Sequence, residues 1–124
     1  MPYRTIWEKE GVIWEFYGHV TAREIADANE EFFGDPRSKN AKYQIVDAIN
    51  TIELEWNPLD IVEMSVNDVA ASRSLNNLKL AFLTNSDKIR EKVEKYVNIS
   101  RNLNSEWKFR GFNSLDEARE WIGL

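Results

Sequence analysis

The sequence predicts an α/β domain: a single-layer, mostly parallel sheet of five strands with one antiparallel member, covered by about four helices. Three observations carry this. The candidate elements run in the order ββ-αβ-αβ-αβ-α. After an opening hairpin, each strand is separated from the next by a helical pattern, which calls for crossovers and parallel pairing. The chain has 124 residues, one domain's worth, of which 43% are hydrophobic and 30% charged, as in an ordinary folded globule. One domain over residues 1–124 is expected.

Residues 4–9 and 12–18 read as the two strands of the hairpin, rich in β-branched and aromatic types, with Glu10-Gly11 as the turn. Thr21-Ala22-Arg23-Glu24 is a capping box that opens the first helix, with Ile25, Ala28 and Phe32 as its apolar stripe and Gly34-Asp35-Pro36 as its stop. Residues 43–49 form a buried strand. The connection that follows, residues 49–57, is about nine residues long against the usual two to six or so. Asn57 caps the second helix and Pro58 takes its first position. One apolar row of this helix is Leu59, Val62, Val66, Val69 and Ala70; a second is Ile61, Met64 and Ala71. The second row either widens the core stripe, walls an apolar pocket, or makes a dimer surface through Ile61 and Met64. Residues 78–84 are the next strand. Asn85 or Ser86 caps a helix with Ile89, Val93, Tyr96 and Val97 inward and alternating charges outward. Residues 107–112 are the last strand, and Ser114-Leu115-Asp116-Glu117 is a capping box for a short final helix.

Net charge is −5, which argues against a nucleic-acid binder, since that needs a clustered basic face. The charge is uneven. Residues 43–72 hold six acids (Asp47, Glu53, Glu55, Asp60, Glu63 and Asp68) and no Lys or Arg, whereas residues 79–110 hold eight bases and four acids. An acidic segment of this kind either is solvated or faces a basic partner. No apolar run approaches the roughly 18 residues of a membrane span, and the opening residues have no hydrophobic signal core. A cytoplasmic location is expected.

No cysteine is present, which excludes thiol nucleophiles and thiolate metal sites. Neither the Walker loop, the Rossmann glycine pattern nor a Gly-x-Ser-x-Gly elbow occurs. No cofactor, metal or catalytic group is expected. The candidate binding residues cluster around the long connection. His19, at a strand-to-helix turn, is either an exposed turn residue or a ligand contact. Asp47, at a strand end, either caps backbone N–H groups or faces a cleft. Glu53 and Glu55, two apart, are either solvated acids or a pair able to do acid–base work or hold a hard cation. Thr51 and Asn57 flank them. Trp56 lies outside any strand pattern. It either folds back over the sheet edge or serves as an aromatic anchor at the carboxyl edge of the sheet, where open α/β sheets bind ligands.

The whole order resembles the SpoIIAA-like, or STAS-type, domain family, which is related in shape to the lipid-carrying Sec14 domain. The likeness is carried by the hairpin ending in Gly18, the helix start at Thr21, the strand end Ile45-Val46-Asp47 and the strand Leu80-Ala81-Phe82-Leu83. Its most specific part is the closing Phe112-Asn113-Ser114-Leu115-Asp116-Glu117-Ala118-Arg119-Glu120-Trp121-Ile122. The resemblance implies a non-catalytic module that binds a partner protein or a small amphipathic ligand. The alternative is a small carrier or enzyme with an internal pocket for an apolar ligand. Anti-sigma-factor antagonists of that family carry a phosphorylatable Ser in the turn before the second helix. Here the turn reads Leu54-Glu55-Trp56-Asn57-Pro58, so the phosphorylation switch is not carried over.

Overall fold

The computed structural model describes residues 3–75 and 77–123. Strands β1 (Tyr3–Trp7) and β2 (Gly11–Phe16) form the antiparallel hairpin. Gly11 is required there: a Cβ at this position would sit 2.6 Å from the Tyr43 ring and carbonyl. Strands β4 (Tyr43–Asp47), β6 (Lys79–Leu83) and β7 (Lys108–Phe112) add in parallel, giving the order β1-β2-β4-β6-β7. The expected sheet, with its one antiparallel pair, is therefore present.

The crossovers are α1 (Ala22–Gly34), α2 (Pro58–Ser72) and α3 (Asp87–Asn102). A short 3-10 turn, Pro36–Asn40, follows α1. Successive parallel strands advance in one direction across the sheet, so the three crossover helices share one face. Strand alternation builds the core on that face. Trp14, Phe16, Leu80 and Phe82 point toward Phe32 of α1, Ile61 and Met64 of α2, and Ile89, Val93 and Tyr96 of α3. The intervening residues Ile13, Ile45, Ala81 and Leu83 face the other side, where α4 (Leu115–Ile122) lays down Ala118 and Ile122.

The caps are those the sequence predicts. The Thr21 hydroxyl accepts from Glu24 N, Ser86 from Ile89 N and Ser114 from Glu117 N. Asn57 and Asp60 form a reciprocal capping box, with bonds of 2.8 and 3.0 Å.

Two expectations are corrected. The connection after β4 is not irregular. It contains a strand, β5 (Thr51–Glu55), paired in parallel with β3 (Gly18–Thr21) as a separate two-stranded ribbon. The second hairpin strand correspondingly ends at Phe16. Gly18, at φ +66°, then turns the chain out of the main sheet into β3. The second correction concerns α2. Ile61 and Met64 are buried, so they offer no dimer surface. Leu59, Val62 and Val66 are the residues that face outward.

Candidate functional site

The ribbon β3–β5 leads directly into α2 and positions most of the candidate residues. Val20 and Leu54 stand opposite each other and point into the core, so their neighbours His19, Glu53 and Glu55 point outward. His19 Nδ1 lies 3.3 Å from Glu53 Oε2, both side chains about half exposed. The register shifts between Gly18 and His19, which leaves Ile52 without an opposite residue and 71% exposed.

Three candidates serve the backbone. Asp47 Oδ1 accepts from Ile49 N at 3.0 Å, closing the turn after β4. The Thr51 hydroxyl is buried and donates to the Phe16 carbonyl at 3.1 Å, tying β5 to the end of β2. Asn57 spends its side-chain oxygen on the α2 cap.

Trp56 is not a surface anchor. It is 8% exposed and belongs to the main core. The physical reason is the strand before it: two residues beyond the inward Leu54, alternation turns Trp56 inward as well. Its ring borders a small cavity beneath the helices, together with Trp14, Phe16, Met64 and Tyr96. That cavity measures about 40 Å³. Pockets for small molecules run to roughly 300–1,000 Å³, whereas a water needs only about 10–15 Å³. The space therefore admits water but not an amphipathic ligand.

The cavity wall is more polar than the sequence suggests. The indole N–H groups of Trp14 and Trp56 and the Gln44 amide nitrogen are buried without a protein partner among the described residues. Asp68, on α2, accepts a hydrogen bond from the Tyr96 hydroxyl of α3. Burial pushes the Asp68 carboxyl up to about 6, and the Tyr96 bond only partly opposes this. Burial and the nearby Asp68 charge hold the Tyr96 hydroxyl well above its ordinary range. Sequence reasoning passed over this pair. Its signal was present, since Ile61, Met64, Asp68 and Ser72 keep helical spacing.

On the opposite side of α2, Leu59 is 64% exposed, Val62 41% and Val66 50%. At spacings of three and four these make one apolar row, bordered by Glu63. Among the described residues, no helix is long and apolar enough to cross a membrane.

No family model and no curated protein matches the sequence. Solved structures are similar to it over nearly the whole chain. The anti-sigma factor antagonist SpoIIAA, in its unphosphorylated form, has a TM-score of 0.63 and 10% identity, over 98% of this chain and 99% of that one. An uncharacterized DUF3478-family protein with a SpoIIAA-like fold, from Shewanella loihica PV-4, has a TM-score of 0.57 and 9% identity, over 97% of this chain and 91% of that one. The chain thus has the SpoIIAA-like α/β fold, four helices on a mixed, mostly parallel sheet.

Proposed function

We propose that this chain is a non-catalytic, cytoplasmic protein-binding module that docks a partner segment on the outer face of α2. The observation that carries this reading is the exposed row Leu59, Val62 and Val66 on a helix that begins with a complete capping box. The likeness to an anti-sigma factor antagonist supports a protein-binding role as an analogy of fold. The polar candidates support it too, because Asp47, Thr51 and Asn57 are engaged in backbone hydrogen bonds rather than gathered around a cleft. The size of the internal cavity counts against the carrier reading.

Charge describes the partner. Residues 43–72 carry six acids and no Lys or Arg, so the complementary surface is apolar with a basic rim. An amphipathic helix with Lys or Arg beside its apolar stripe has that character.

The test is Val62→Glu combined with Val66→Glu. Surface changes of this kind shift stability by about 0.5 kcal/mol or less each, so the fold should persist. Cross-linking in host cells should recover a partner with the wild type and not with the double variant. Equal recovery of that partner by both proteins would remove α2 as the docking face.

A further inference from the structure

The single histidine of the chain and two carboxylates meet on the outer face of the β3–β5 ribbon. Opposite residues in a parallel pair share a face, and residues two apart along a strand do so as well. His19 stands opposite Glu53, and Glu55 follows two residues later. The register shift selects this composition. Without it Ile52 would stand opposite His19; with it Glu53 does. Bulges commonly re-aim a side chain in this way beside functional sites.

One donor atom from each of His19, Glu53 and Glu55 lies within 4.8 Å of the other two. The separation of 3.3 Å between His19 Nδ1 and Glu53 Oε2 is close to the edge of a tetrahedron with bonds of about 2.0 Å, the usual zinc–ligand length. Among the described residues, neither Glu53 nor Glu55 is held by a Lys or Arg ion pair. Lys92 reaches the ribbon, but it donates to the Leu54 carbonyl.

We infer that His19, Glu53 and Glu55 form a binding site for a divalent cation of the borderline class, such as Zn²⁺, Co²⁺ or Ni²⁺. One imidazole nitrogen and two carboxylates would supply the protein ligands, with solvent completing the shell. Imidazole in the donor set favours these ions over Mg²⁺ and Ca²⁺, which prefer oxygen alone. The acidic stretch around β5 raises the local cation concentration. A bound ion ties β3 to β5, and β5 leads into α2, so occupancy stiffens the segment that presents the proposed docking face. The site does not depend on that docking role.

The experiment uses tag-free protein. Calorimetry follows Zn²⁺ binding, and NMR follows the imidazole signals of His19 during a Co²⁺ titration; the lone histidine makes the assignment unambiguous. The expected result is saturable one-to-one binding, a Co²⁺-dependent change in the His19 signals, and no competition from equal Mg²⁺. Losing even an outer-shell partner costs a metal site about 10–100-fold, so His19→Ala and Glu55→Gln should each weaken Zn²⁺ binding by at least about tenfold. Glu55→Gln should leave the metal-free thermal midpoint unchanged, which separates ligation from folding. The inference is overturned if either variant binds Zn²⁺ like the wild type, if binding does not saturate, or if Mg²⁺ displaces Zn²⁺. It would stand even if no partner docks on α2.

Discussion

Glu55 and Trp56 are adjacent in sequence and opposite in environment, the acid in solvent and the indole in the core. That difference follows from one fact, the pairing of β5 with β3. Trp56→Ala should therefore act as a core truncation, costing about 3–5 kcal/mol with partial relaxation around the existing cavity. Urea denaturation measures it directly. An unchanged midpoint would show that the indole contributes little to the core and belongs to a surface role after all. The sequence left burial and a surface role both open for Trp56, because the partner strand that decides between them lies some thirty residues earlier and is four residues long. By contrast, the caps at Thr21, Asn57 and Ser114 were legible, because capping is local chemistry among residues within four positions of each other. Asp47 belongs to the same legible class, closing its own turn two residues on.

Helix α2 shows where a hydrophobic pattern misleads. Its inward face consists of Ile61, Met64, Ser65, Asp68, Val69 and Ser72, and its outward face includes Leu59, Val62 and Val66. Apolar residues thus stand on both sides, and the polar residues that would mark a solvent face are buried. Each has a partner: Ser65 donates to the Ile61 carbonyl at 2.8 Å and Ser72 to the Val69 carbonyl within the helix, and Asp68 accepts from Tyr96 of α3. Periodicity within α2 alone therefore leaves the role of the Ile61 and Met64 row open, and packing against the sheet and α3 makes it part of the core. The strands were more legible, because β2, β4 and β6 carry apolar residues on both faces and are covered by helices on both.

The α2–α3 contact also makes stability depend on pH. The Asp68 carboxyl, ordinarily near 3.8, is raised to about 6 by burial. The folded chain then holds this proton more tightly than the unfolded chain does. Stability from this group is complete below about pH 4, falls as pH rises toward about 6, and is lost above it. Asp68→Asn keeps an acceptor for Tyr96 and removes the charge, while its amide donors adjoin the small cavity. The net gain should be about 1–2 kcal/mol at pH 7.5, vanishing near pH 4. Urea midpoints of both proteins at pH 4, 5, 6 and 7.5 would show the two curves converge on acidification. Parallel curves would mean that Asp68 does not titrate in this range.

At the scale of the whole molecule, charge decides which assemblies the exposed row can enter. A two-fold dimer through α2 would set each acidic segment against its own copy, since a symmetric interface is built from one patch twice. Asp60, Glu63 and Glu55 lie within or beside the face concerned, and residues 43–72 offer no Lys or Arg to offset them. At physiological salt, repulsion reaches about 8 Å, which covers an interface of this kind. The basic stretch, residues 79–110, belongs to β6, α3 and β7, so a heterologous contact between copies would be needed to use it. The chain should therefore sediment as a monomer of 14.5 kDa at neutral pH and modest salt. A partner with a basic rim should bind more weakly as salt rises, mainly through a slower association rate. A stable dimer at low salt and neutral pH, abolished by Val66→Glu, would instead make a second copy of this chain the occupant of the α2 face.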